Sequence, residues 1–304
     1  MESGLIIFDK PPGVTSFDAL RGIKRALGTG KVGHTGTLDK FAGGLLLVLT
    51  GKALKLSRWF SGCDKKYTGI IHFGVETDTL DLEGKEIAKA DLPLQGDVEK
   101  ALLKFTGVIL QEPPVYSAIH VNGKRASSLA RNGNAPEMKK REITIHKIEL
   151  LSWQPPFAEI FVHCSSGTYI RSLARDIALA VNSRGHLKSL LRTDIAGFSL
   201  EMAVNKPGSG EQQMSSEEIT VLPIDKKIIS KLGLAWIDVS EKEAQHIIHG
   251  KALDQILNNK FITHSSLLNP HSSFNTFTCA VFYNENLIAV LEKINENWTY
   301  GCVM

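Results

Sequence analysis

Gly33-His34-Thr35-Gly36-Thr37-Leu38-Asp39 is followed at once by the apolar run Gly43-Gly44-Leu45-Leu46-Leu47-Val48-Leu49. Glycines, a histidine and two threonines read as a tight polar loop, and the run after it reads as buried core. Asp39 therefore stands where a rigid scaffold hands over to a cleft. No other part of the chain offers an equally isolated, well-supported acid.

Upstream, Leu5-Ile6-Ile7-Phe8 reads as a buried strand stopped by the rigid turn Asp9-Lys10-Pro11-Pro12-Gly13. Ser16 is placed to cap a helix from Phe17 to Leu27, with Leu20, Ile23 and Leu27 on one face. Downstream, Tyr67 to Phe73 alternates as a strand does, and Thr77 to Gly84 reads as a solvated polar turn. Asp97 to Phe105 is expected to be a short helix. Gln111-Glu112-Pro113-Pro114 opens a region expected to be irregular as far as Arg141, rich in Lys124, Arg125, Arg131, Lys139 and Lys140.

Glu159 to Cys164 alternates again. Ser165-Ser166-Gly167-Thr168 then opens a helix whose apolar positions, Ile170, Leu173, Ala174, Ile177, Ala178 and Val181, keep a helical period. Lys206 to Glu218 is the expected linker. Beyond Leu232 a short helix from Val239 to Gly250 and two strands around the Asn284-Glu285-Asn286 turn point to a small β-rich C-terminal domain.

The 304 residues are 43% hydrophobic, enough for a full core and about two domains. Lys and Arg number 35 against 32 Asp and Glu, a net charge of +3, which permits nucleic-acid binding without demanding it. Cys63, Cys164, Cys279 and Cys302 are scattered and make no C-x-x-C pair, so neither a disulfide framework nor a structural zinc site is expected, and a reducing cytoplasm fits. The first ten residues do not read as a signal peptide, and no apolar stretch is long enough to cross a bilayer.

Gly28-Thr29-Gly30-Lys31-Val32-Gly33 matches G-x-G-x-x-G, but a helix-like segment precedes it where a dinucleotide fold needs a strand. Thr77-Asp78-Thr79 with Asp81 and Glu83 does not complete a calcium loop. The ten histidines show no metal-binding pair of the H-E-x-x-H kind; His34 stands out because glycine flanks it. Arg171 opens a helix, where a cation opposes the macrodipole and needs an anion, either a carboxylate or an RNA phosphate. Tyr67 follows Lys65-Lys66, a ring for a base to stack on with two cations placed for phosphates.

Taken together, Asp9-Lys10-Pro11-Pro12-Gly13-Val14-Thr15-Ser16, the Gly33-to-Asp39 loop, Lys66-Tyr67, Thr77-Asp78-Thr79 with Asp81 and Gly84, Pro113 to Ala118, and Gly167-Thr168-Tyr169-Ile170-Arg171 resemble the TruB-type tRNA pseudouridine synthases. The resemblance implies an α+β fold: a large mixed, mostly antiparallel sheet flanked by helices over residues 1–230, and a small β-barrel-like PUA domain over 231–304. Residues 115–141 would be an RNA-gripping insertion.

It implies that Asp39 is the catalytic acid, that Tyr67 stacks on the target base and that Arg171 pairs with Asp39. His34, Tyr67, Tyr169 and Leu190 would line the substrate site, and Lys10 would pack near it. The reaction implied is isomerisation of uridine to pseudouridine, at uridine 55 in the T loop of tRNA, by base flipping and by breaking and remaking the glycosidic bond. That chemistry calls for no redox cofactor, nucleotide or metal. The expected partner is the tRNA T stem-loop, for a cytoplasmic monomer without a membrane partner. One departure is Lys40, where the family usually has proline; it leaves the loop freer and adds a cation near the carboxylate. Three rivals remain open: an RNA-binding module without catalysis, a synthase acting on another RNA such as rRNA, and a nicotinamide-dependent enzyme using Gly28, Gly30 and Gly33.

Overall fold

The computed structural model describes residues 3–203, 219–253, 277–295 and 297–304, so the expected linker lies outside the described residues. β1 (Leu5–Lys10) and β3 (Gly43–Thr50) form an antiparallel pair, Leu5 opposite Leu49 and Lys10 opposite Gly44. Every residue of β3 is buried, as a continuous apolar run requires.

Period-two alternation divides that burial between two faces. Ile6, Phe8, Leu46 and Val48 pack with Leu20 and Ile23 of α1 (Ser16–Ala26). Leu5, Leu47 and Leu49 share a second cluster with Phe60, Phe198, Ile229 and Phe282. The cap of α1 falls one residue earlier than expected: Thr15 accepts from the Asp18 N–H, whereas Ser16 is buried and bonds elsewhere. β2 (Val32–His34) pairs with β3 antiparallel, so the Thr35-to-Ala42 loop is the connection of a hairpin.

Beyond β3 come α2 (Ser57–Ser61), β4 (Lys65–Phe73), and a small ribbon of β5 (Val75–Thr77) and β6 (Glu86–Lys89). α3 (Gln95–Lys104) and β7 (Gly107–Gln111) follow. The region expected to be irregular as far as Arg141 is partly ordered: β8 (His120–Val121) and β9 (Lys124–Arg125) form a short hairpin leading into α4 (Ala126–Arg131). A long hairpin of β10 (Arg141–Gln154) and β11 (Phe157–Cys164), then α5 (Ile170–Ala180), β12 (Gly185–Ile195) and β13 (Phe198–Ser199), complete the main sheet.

Its order is β1-β3-β12-β4-β11-β10-β7, with β2 beside β3 and β13 beside β12. Only β3 and β12 run parallel; the other pairings are antiparallel. α3 and α5 cover one face, packing Val98, Leu102, Leu173 and Ile177 on Ile71, Phe73, Ile145 and Ile160. This is the α+β arrangement with a mostly antiparallel sheet read from the resemblance.

At the C-terminal end, α6 (Lys226–Lys231), β14 (Ala235–Asp238), α7 (Glu241–Ile248), β15 (Phe277–Tyr283), β16 (Asn286–Ile294) and β17 (Asn297–Val303) form a second unit. Its strands make one sheet, β14-β15-β16-β17. Ser240 caps α7 in a reciprocal capping box with Glu243. Asn284 and Glu285 both take positive φ, as a two-residue hairpin turn demands. Ala280, Phe282 and Val290 of this sheet join the cluster beneath β3, so the two sheets share a core.

Candidate active site

The loop from Thr35 to Ala42 is tied down from every side. Thr35 donates its N–H to Leu47 O at 3.0 Å, and Ser61 Oγ donates to Thr35 O at 2.6 Å. Ser16 Oγ accepts from Leu38 N–H and donates to Leu38 O, both at 2.9 Å, which pins the start of α1 to the residue before Asp39. Beneath the loop lies Arg192 of β12, 1% exposed, whose guanidinium donates to Leu45 O at 2.8 Å, Gly36 O at 3.2 Å and Thr37 O at 3.5 Å. Gly44 makes this approach possible. It holds φ +100°, and a Cβ there would lie 2.4 Å from Arg192 O.

Lys40 stands where the family usually has proline. Its carbonyl accepts from Gly13 N–H at 2.7 Å, and its ammonium lies 3.3 Å from Glu83, so the added charge has its own partner.

Asp39 meets Arg171, the second residue of α5. Nε donates to Oδ2 at 3.0 Å and Nη2 to Oδ1 at 3.1 Å, a two-pronged contact that fixes the carboxylate's plane. The remaining N–H groups go to Thr79 O at 2.8 Å, Tyr116 O at 3.0 Å and Asp81 Oδ2 at 3.3 Å. A guanidinium has five N–H donors, and all five are engaged. The Arg171 side chain is 6% exposed and that of Asp39 is 36% exposed, so the acid reaches solvent while its partner is walled off.

Thr77 to Gly84 is solvated on one side only, at Leu82 and Glu83. Thr77 and Asp81 are buried, and the Asp81 carboxyl accepts from Thr79 Oγ1 at 2.6 Å and Glu83 N–H at 3.0 Å as well as from Arg171. Burial raises the Asp81 pKa, against the pull of the Thr79 hydroxyl and of Arg171. A cation flanked by two carboxylates answers the need for an anion read from its place at a helix start.

Tyr67 lies on β4 directly opposite Arg192. It is buried with Leu38, Phe41 and Leu190, and burial pushes its phenol up to about 12. Its expected phosphate-binding neighbours are spent otherwise. Lys65 is buried, donates to Cys63 O at 2.6 Å and Ser61 O at 3.1 Å, and falls to about 8 through desolvation, with Arg192 adding to the shift. Lys66 lies 3.8 Å from Asp194.

His34, at the end of β2, is half-buried, and its buried Nδ1 has no hydrogen-bond partner among the described residues. Burial first and Arg192 second lower its pKa, so the imidazole is neutral at pH 7. Tyr169 caps α5, and the Gln111 amide clips its backbone from both sides, accepting from Tyr169 N–H at 2.8 Å and donating to Tyr169 O at 3.1 Å.

Lys10 does not line the cleft. It is 0% exposed, donates to Val14 O at 2.6 Å and Pro11 O at 2.8 Å, and burial lowers it to about 8. It holds the turn whose Gly13 supports the Asp39 loop. Two members of the site have no place in the sequence reading of it, Arg192 and Gln111, and Asp81 is read there as part of a motif without a role in the site. The Thr79-x-Asp81 spacing carried a usable signal, because Thr79 Oγ1 bonds that carboxylate, whereas Arg192 is one cation in an ordinary strand and carries none.

Comparison with known proteins identifies the family of the chain. The family described as "TruB family pseudouridylate synthase (N terminal domain)" matches residues 24–170. A protein of Borreliella burgdorferi called tRNA pseudouridine synthase B is 44% identical over 204 residues, 66% of this chain and 72% of that one. One of the same name from Aquifex aeolicus is 41% identical over 257 residues, covering 82% of this chain and 86% of its own. Among solved structures, a chain of a Cbf5-Nop10-Gar1 complex superposes with a TM-score of 0.65 at 21% identity, covering 99% of this chain and 82% of the other. A chain from an H/ACA RNP bound to a substrate RNA gives 0.63 at 20% identity, covering 96% and 78%. At those identities the structural likeness concerns the fold.

Proposed function

Because the chain belongs to the TruB family of pseudouridylate synthases, we propose that its Asp39 cleft isomerises uridine 55 in the T loop of tRNA. The activity is that of an isomerase converting uridine to pseudouridine in tRNA. The observation that carries the assignment of the site is the Asp39 carboxylate, open to solvent, held in plane by a buried, fully engaged Arg171 and following Leu38, which packs with Tyr67 in one core cluster.

The chemistry breaks the N-glycosidic bond, turns the base and joins its C5 to the sugar. N1 gains a proton and C5 loses one, so nothing enters or leaves overall. The target base must first leave its stack, at a cost of a few kcal/mol. His34, neutral and with an unpartnered Nδ1 at the end of β2, is suited to the space that the base leaves. Tyr67, only 7% exposed without RNA, is the ring on which the flipped base would stack once it has entered, a contact of about 1–3 kcal/mol. Its phenol stays protonated at neutral pH. Asp39 acts on the sugar, by attack at the anomeric carbon or by taking a sugar proton, and Arg171 keeps its oxygens in one orientation during either step.

Residues 1–230 form the catalytic domain in this reading. Residues 231–304 form a PUA-like RNA-binding domain, and the basic segment 115–141 grips the RNA. The test is incubation with unmodified tRNA transcripts and mapping of pseudouridine by chemical probing. Modification at uridine 55 is expected. A site elsewhere, or activity only on rRNA, would refute the substrate assignment.

A further inference from the structure

Asp64, His146 and His163 converge on the face of the main sheet opposite the cleft. β4 and β11 pair Lys66 with His163 and Tyr67 with Val162, so alternation puts His163 and Tyr67 on opposite faces. His146 reaches its neighbour because the β10–β11 register slips between Ile145 and Lys147; such a bulge re-aims a side chain. The two imidazole rings lie 4.7 Å apart at 44°. Asp64, the residue before β4, places Oδ2 3.0 Å from His146 Nε2 and 4.0 Å from His163 Nε2. One ligand atom from each of the three residues lies within 4.8 Å of the others.

Two ligands on a tetrahedral zinc ion, each about 2.0–2.1 Å from the metal, are about 3.3 Å apart. The 3.0 and 4.0 Å separations straddle that value and the third lies within 4.8 Å, so a side-chain rotation that draws the two imidazoles together would close the set. Two imidazoles and a carboxylate suit zinc and its neighbours in the transition series rather than magnesium or calcium. The three side chains are 32–45% exposed, which leaves room for water in the remaining positions. Lys66, whose backbone is paired with that of His163, lies 3.8 Å from Asp194.

We propose that Asp64, His146 and His163 bind a divalent transition ion of the zinc class, with water completing its coordination. The ion would fasten the β10–β11 hairpin to the start of β4, the strand that carries Tyr67. The site is independent of the catalytic reading.

The test uses tag-free, full-length protein stripped with a chelator, titrated with Co²⁺ and then with Zn²⁺ in competition, followed by visible absorption and calorimetry. One equivalent is expected to bind, with d–d bands and no thiolate charge-transfer band. His146→Gln and His163→Gln should each weaken binding by at least about tenfold. The double variant should keep the metal-free unfolding midpoint and lose the rise in that midpoint that Zn²⁺ gives the parent. Absence of saturable binding, a thiolate band, or unchanged affinity in the variants would overturn the proposal and leave a plain His146–Asp64 ion pair.

Discussion

Replacing Arg171 by lysine tests the core of the site, because the charge survives and the geometry does not. Arg171 satisfies five acceptors: both oxygens of Asp39, Asp81 Oδ2, Thr79 O and Tyr116 O. An ammonium has three donors at one point, so at least two of these acceptors lose their partner. Each buried acceptor left bare costs about 1–3 kcal/mol, so two of them cost about 2–6 kcal/mol. Arg171→Lys should therefore lower the free energy of urea unfolding by about 2–6 kcal/mol. The freed Asp39 carboxylate loses its fixed plane, and a misplacement of about 1 Å can cost about 100-fold in rate. Single-turnover pseudouridine formation on tRNA transcripts should fall by about that factor, while tRNA affinity changes little. Asp81→Asn keeps an acceptor opposite Arg171 and should be milder on both counts. A lysine variant within about 1 kcal/mol of the parent, turning over at a comparable rate, would refute the argument that the planar fork organises the site.

Tyr67→Phe tests whether the phenol takes part in the proton transfer on the turned base: the variant should bind RNA almost as the parent does and turn over slowly, and equal rates in the two proteins would leave the ring with stacking alone. Lys65 gives a pH test. Its folded value of about 8 lies below the 10.5 of an unperturbed lysine, so the unfolded chain holds more protons between those values and stability gains from this group as pH rises through that window. Lys65→Met should remove that gain, seen as a flatter dependence of the urea midpoint from pH 8 to pH 10. Lys10, also lowered to about 8, preserves part of the slope, and parallel curves for parent and variant would contradict the assignment.

Elements whose residues are apolar at a fixed period were legible in the sequence. β3, β4, β11 and α5 follow from hydrophobic runs, alternation and helical spacing, and the breaks around them follow from Gly and Pro. Arg171 was legible for an electrostatic reason, since a cation at a helix start asks for an anion, and the structure supplies two. What sequence cannot register is the burial of a polar side chain, because its partners arrive from distant segments. Asp81 looks the same in a solvated turn as in a buried one until Arg171 folds over it. Lys65 reads as a phosphate ligand until Ser61 and Cys63 offer their carbonyls. Arg192 becomes a support only when β12 lies beside Gly44. The one-residue shift of the α1 cap has the same origin: Thr15 and Ser16 are equally able to cap, and the demand of the Leu38 backbone decides between them. The histidine pair escaped a search at helical spacing because its members sit on adjacent strands.

Asp39→Asn carries the central claim. Asparagine keeps the size of the side chain and one acceptor toward Arg171, so the stability loss should be about 1–2 kcal/mol, smaller than for Arg171→Lys. The purified variant should unfold cooperatively, bind unmodified tRNA as the parent does, and form no pseudouridine at uridine 55 even at enzyme excess. Pseudouridine formed by that folded variant at the parent's rate would contradict the account, because the acid on the closed loop would then not be the group that acts on the sugar.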